Sequence, residues 1–204
     1  KAEIWFDRLL LWGCLFCLYY SQILAQTRVF DHYGPKEGLV TSQVLCISKD
    51  NHGYLWLGTE NGLARFDAHS FRYYHHNYKD TQTLSSNCIS RIQCDNHNRI
   101  WINSGSNLNI LDITTGKILR YTDQNFKINS TKITQFYYDQ KHDTMWILSQ
   151  SGIFFNTGRN ISIQKKIFPS VEGRIIEIFK WSNNRYILAG DKALYVYDAH
   201  KRTT

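Results

Sequence analysis

Long apolar runs are scarce in this sequence. The longest is the ten-residue stretch Leu9–Leu18, well short of the roughly 20 residues that a membrane-spanning helix needs. Proline is rarer still, with 2 residues in 204, which excludes a proline-rich linker or low-complexity chain. Methionine occurs once. Cysteine is too sparse for a disulfide framework. Of the five, Cys14 and Cys17 fall in the N-terminal stretch, leaving Cys46, Cys88 and Cys94, an odd number. Cys88 and Cys94 share one predicted strand about 20 Å apart, beyond disulfide reach. At most one bridge, involving Cys46, is open, and the three read as small apolar residues of a sheet core.

Acidic residues are outnumbered, 17 against 24 Lys and Arg, for a net charge of +7. The basic residues are scattered and build no stripe, so a nucleic-acid partner is not expected for this segment. An anionic polysaccharide remains compatible with the charge. Catalytic and metal motifs are missing too. No spaced His, Cys and carboxylate set marks a metal site, so no cofactor or metal is expected, and the eight histidines read as solvated loop residues. The turn Asp50-Asn51-His52-Gly53 has Asn61 where an EF-hand requires glutamate. Neither a nucleophile elbow nor a phosphate loop is present.

What the chain does have is aromatic residues, 15% of the total, and a basic, apolar N-terminus. Lys1 and Arg8 precede the apolar run, and Ile23-Leu24-Ala25 follows shortly after it. Residues 1–25 therefore read as a secretory signal peptide, cut between Ala25 and Gln26, with a membrane anchor as the alternative.

The remainder, 26–204, is repetitive. Trp56, Trp101 and Trp146 recur at intervals of 45 residues. Each follows an aspartate and a turn: Asp50 and Gly53, Asp95, and Asp139 with one extra residue. Gly58, Gly62 and Gly152 recur in the hairpins after the tryptophans. A weaker fourth copy places Ile187 where the tryptophan stood. The first unit splits into four short strands: Gln43–Ser48, Tyr54–Thr59, Leu63–Phe66 and Phe71–Tyr74. The segment Glu60-Asn61-Gly62 forms a tight hairpin between the second and third. Four strands in about 45 residues is a propeller blade. The expected fold is all-β: three full blades and a partial fourth, near 38–82, 83–127, 128–170 and 171–204. The tryptophans are expected to fill the space between blades, and Gly58 to permit close backbone approach.

These residues resemble a known family. Gly38-Leu39-Val40-Thr41-Ser42-Gln43-Val44, then Asp50, Gly53-Tyr54-Leu55-Trp56-Leu57-Gly58-Thr59 and Gly62-Leu63, are similar to the two-component regulator propeller repeat. The second unit's Leu84-Ser85-Ser86-Asn87 and the opening Val29-Phe30-Asp31-His32-Tyr33 fit the same pattern. Asn103 at the Gly58 position, Ser149 and Ile187 depart from it. The resemblance implies the periplasmic sensor region of a Bacteroidetes hybrid histidine kinase whose parent is anchored in the inner membrane. Such sensors detect oligosaccharides, and their kinase core lies outside this segment, so no enzymatic activity is expected here. Implied partners are further blades and downstream domains of the same chain, an oligosaccharide, and a second copy in a homodimer. Tyr73 and Tyr78 are candidates to stack on sugar rings, and Arg65 and Lys79 to meet acidic groups. A secreted polysaccharide-degrading propeller enzyme and a scaffold without its own ligand are the alternatives. Four units do not close a propeller ring, so the segment alone is expected to be marginal or to aggregate.

Overall fold

Alternating apolar residues, punctuated by Asp- and Gly-containing turns, give fifteen strands in the computed structural model, which describes residues 12, 30–41, 43–121 and 133–199. The chain divides into two units, Lys1–Tyr33 and Gly34–Thr204. Apart from Trp12, the signal-peptide reading and its Ala25–Gln26 cut lie outside the described residues. Among those residues, no helix is long and apolar enough to cross a membrane.

The second unit opens with a 3-10 turn at Pro35–Glu37 and continues as four antiparallel sheets. Sheet one holds β1 (Val44–Lys49), β2 (Leu55–Thr59), β3 (Gly62–Phe66) and β4 (Phe71–Tyr74). Sheet two holds β5 (Ile89–Cys94), β6 (Arg99–Ser104), β7 (Asn107–Asp112) and β8 (Ile118–Tyr121). Sheet three holds β9 (Ile133–Asp139), β10 (Thr144–Ser149), β11 (Gly152–Thr157) and β12 (Gln164–Lys166). Sheet four holds three strands, β13 (Ile175–Lys180), β14 (Arg185–Gly190) and β15 (Leu194–Asp198). Strands within a sheet follow sequence order, and the first strands of successive sheets, β1, β5, β9 and β13, lie side by side. These are propeller blades, three of four strands and one of three. Among the described residues the fourth blade makes no such contact with the first, so the ring is open.

Pleating gives each blade two faces. Trp56 of blade one packs on Ile92, Ile100 and Ile102 of blade two. Trp101 of blade two packs on Phe136, Met145 and Ile147 of blade three. Trp146 of blade three packs on Ile178, Tyr186 and Leu188 of blade four. Each tryptophan thus fills a seam, and burying one such side chain contributes about 1.5–3 kcal/mol. In blade four the matching cross-strand row is Phe179–Ile187–Val196, and Phe179 and Val196 are exposed. The outer face of blade one is partly covered by Leu39, which packs on Leu57 and Ala64.

Two glycines show how tight the packing is. A Cβ on Gly58 would lie 2.3 Å from Cys46 Sγ and 2.7 Å from Ile89 Cγ2, so only glycine lets blade two approach there. In the first hairpin the left-handed conformation falls on Gly62 (φ 110°) and not on Asn61, so the Asn-Gly pair does not form the mirror-image turn. Instead Thr59 Oγ1 donates to Gly62 O (2.8 Å) and accepts from Asn61 N (3.0 Å).

Candidate functional site

In the first three blades the turn after the innermost strand is organised by the repeated aspartate. Asp50 Oδ1 accepts the backbone N–H of His52 (2.9 Å) and Tyr54 (3.0 Å), while Oδ2 accepts the Trp56 indole N–H at 2.7 Å. Asp95 repeats this with His97 N (2.8 Å), Arg99 N (3.2 Å) and the Trp101 indole (2.8 Å), and also receives Arg99 Nε at 2.7 Å. Three residues beyond the aspartate in the first two turns, and four beyond it in the longer third turn, the backbone takes positive φ. Gly53 (91°), Asn98 (57°) and Asp143 (47°) occupy that place. Asn and Asp tolerate this conformation better than other side-chain-bearing residues.

That tolerance gives blades two and three an acceptor that glycine lacks. His52 Nε2 reaches Asn98 Oδ1 in the next blade at 3.2 Å. His97 Nε2 reaches Asp143 Oδ2 at 2.8 Å, and His142 Nε2 reaches Asn184 Oδ1 at 3.1 Å. Each of the three seams therefore carries a histidine clasp, so these residues are not free solvated loop histidines. Their 45-residue spacing was present in the sequence but unused there. Tyr138 Oη also donates to Asp143, at 2.6 Å. Burial pushes the Asp143 carboxyl up, but the hydrogen bonds from Tyr138 and His97 and the charges of His97 and Arg99 outweigh it, leaving it below the usual carboxylate range. No group of three or more metal-ligating side chains occurs among the described residues.

The third seam differs. Asp139 accepts from Lys180 Nζ and Tyr186 Oη of blade four and pairs with His142 Nδ1 at 2.6 Å, while the buried Trp146 indole N–H has no partner. Burial opposes ionisation of Asp139, but these three groups lower its pKa strongly. Beside it lies an open polar depression of ≈ 660 Å³ lined by Asn96, Tyr137, Gln140, Lys141, Lys180 and Asn183.

The four candidate ligand-binding residues are not gathered in one pocket. Arg65 on β3 faces the seam with blade two, its guanidinium 4.4 Å above the Tyr54 ring. Tyr73 on β4 donates its hydroxyl to Gly38 O and accepts Val40 N at 2.9 Å, holding the leading segment against blade one. Tyr78 and Lys79 stand in the connection between β4 and β5, on the loop face opposite the aspartate turns, and both are exposed. Cys46, Cys88 and Cys94, the cysteines among the described residues, are free. Burial pushes the thiol of Cys46 up to about 11 and that of Cys94 up to about 12, so both are inert core groups. Cys88 is exposed just ahead of β5, a correction to its assignment to the core.

Residues 38–61 match the family model described as two component regulator propeller. A 57-residue stretch is 42% identical to histidine kinase P4 of Formosa agariphila, covering 28% of this chain and 4% of that protein. Two solved extracellular domains from B. thetaiotaomicron share the fold. That of a hybrid two component system has a TM-score of 0.53 at 20% identity, over 85% of this chain and 31% of its own. That of a one component system has a TM-score of 0.65 at 13% identity, over 87% and 24%. The chain thus spans less than a third of each of these three relatives. The match to the two component regulator propeller model lies in the first blade, and the four blades share the fold of these extracellular domains.

Proposed function

We propose that this chain is part of the periplasmic sensing propeller of a hybrid histidine kinase anchored in the inner membrane, and that its ligand is an oligosaccharide. The reading rests above all on the 42% identity to a histidine kinase, in a chain that also carries the family repeat. The repeated aspartates are taken up by turns and seams, which favours recognition over glycoside hydrolysis by paired carboxylates. The row Phe179–Ile187–Val196, with Phe179 and Val196 exposed, supports further blades as partners, because the equivalent rows of the other blades are covered by a neighbour. Of the four candidate residues, Tyr78 and Lys79 are the pair with exposed side chains. A homodimer of the parent would carry the signal to the kinase.

Calorimetry of the complete ectodomain against a panel of neutral and acidic oligosaccharides tests the reading. Saturable binding of at least one is expected. Failure of all of them to bind sinks the sugar-sensing function and favours the scaffold.

A further inference from the structure

Tyr78 is 93% exposed, the barest large hydrophobic side chain among the described residues. An exposed tyrosine is ordinary, but the loop that carries it is not a loose one. The parallel bridge His76–Leu84 closes its base, and Leu84 is fully buried in the core between blades one and two. Within it, Asn77 N donates to Thr83 Oγ1 (3.0 Å), Lys79 N to Asn77 Oδ1 (3.0 Å) and Gln82 N to Asp80 Oδ1 (2.8 Å).

Across the loop lies Arg120, half-buried on β8 of blade two. Its Nη2 donates to the carbonyls of Asp80 and Leu84, each at 2.8 Å, and to Thr83 Oγ1 at 2.8 Å. Nε donates to Thr83 O at 2.5 Å. These acceptors are neutral, and among the described residues no carboxylate pairs with Arg120, so its charge is not cancelled by an ion pair. The edge of one ring of the His76–Tyr78 pair meets the face of the other, with centroids 4.4 Å apart, which limits where the phenol can point.

A rigid loop that holds one aromatic ring in water is preorganised for a contact it does not make internally. The neighbours of Tyr78 are polar, so the patch lacks the apolar centre of a protein interface. A pyranose fits better, with one apolar ring face and a rim of hydroxyls, and Lys79 adds positive charge for an acidic substituent, while Arg120 spends its N–H groups on holding the loop. We infer that the 77–83 loop is a preformed subsite on which Tyr78 stacks a pyranose ring of an acidic oligosaccharide, with Arg120 as its positioning residue. The inference rests on the sugar-sensing reading above.

The test is titration of the complete ectodomain with tetragalacturonate, with cellotetraose as the neutral control. Tyr78→Ala is expected to raise Kd about tenfold with an unchanged melting temperature. Arg120→Met is expected to weaken binding as well. In the Tyr78→Ala background it should have no further effect, because Arg120 acts only through the ring. An equal loss in both backgrounds reduces Arg120 to general structural support and overturns its assignment. Unchanged affinity in Tyr78→Ala overturns the subsite while leaving the sensor reading intact. Absence of tetragalacturonate binding overturns the acidic-ligand subsite, even where another sugar of the wider panel binds.

Discussion

Blades one and two keep their aspartates at home, whereas blade three lends its aspartate to blade four. Asp50 and Asp95 each bond the indole of their own blade's tryptophan. Asp139 sits one residue further from Trp146, leaves that indole unpartnered and takes Lys180 and Tyr186 of blade four instead. The local arrangement stiffens a turn regardless of its neighbour. The cross-blade arrangement makes the next blade's attachment depend on one buried charge. A single inserted residue thus converts a turn device into a seam device.

The largest effect should come from breaking the borrowed charge. Asp139 is fully buried, and removing one partner of a buried, hydrogen-bonded pair costs about 3–5 kcal/mol. Asp139→Ala should lower the denaturation midpoint and speed amide exchange selectively in β13–β15. Asp50→Ala should instead loosen its own turn and β2. Uniform exchange changes in both variants would erase the distinction between local and cross-blade use.

Next in size is the seam between blades one and two, where contact replaces charge. Gly58→Ala should cost about 1–3 kcal/mol by overpacking, because its Cβ collides with Cys46 Sγ and Ile89 Cγ2. Cys46→Ala in the same background should recover part of the loss. No recovery would place the strain on Ile89 alone. Smaller again is the contrast between two tryptophans. Trp56→Phe and Trp146→Phe remove similar ring area, but only the first strands a buried carboxylate oxygen. Trp56→Phe should therefore cost about 1–2 kcal/mol more, read from parallel denaturation curves. Equal costs would mean that the Asp50–Trp56 bond contributes nothing net.

Much of the fold was legible because a blade writes itself in local chemistry. The tryptophan period, the Asp turns and the Gly hairpins point to four-stranded blades, and Ile187 stands in the cross-strand row that the tryptophans occupy in the first three. The extra residue after Asp139 was also visible, but its consequence was not. Whether a carboxylate turns to its own indole or to Lys180 depends on side-chain reach across a seam, which sequence spacing does not encode. The histidines illustrate the same limit. His52, His97 and His142 keep a 45-residue step, yet they looked like solvated loop residues because their acceptors lie 42 to 46 positions away. Arg120 gave no signal at all, since its acceptors are mostly backbone carbonyls that any sequence would supply.

The smallest effect separates two clasps of the same geometry. Between blades one and two, His52 meets a neutral amide, Asn98, whereas between blades two and three His97 meets a carboxylate, Asp143. The groups around Asp143 are His97 and Tyr138, with the charge of Arg99 nearby, and together they depress its pKa against the opposing pull of burial. A carboxyl with a depressed pKa in the folded state contributes stability that is whole above its ordinary value near pH 4. That contribution disappears as the pH falls through the depressed value, because the folded state then gives up its preference for the anion. Asp143 is partly exposed, so solvent screening limits the pair to about 0–1 kcal/mol. Asp143→Asn tolerates the same positive φ and leaves a neutral acceptor, as at Asn98. Denaturation midpoints measured from pH 7 down to pH 3 should therefore fall less steeply in Asp143→Asn than in the wild type. Substituting Asn98 by Gly, which also tolerates the positive φ, should lower the whole curve without changing its slope. Parallel acid limbs for the wild type and Asp143→Asn would show that the carboxylate adds nothing to this seam beyond what an amide supplies.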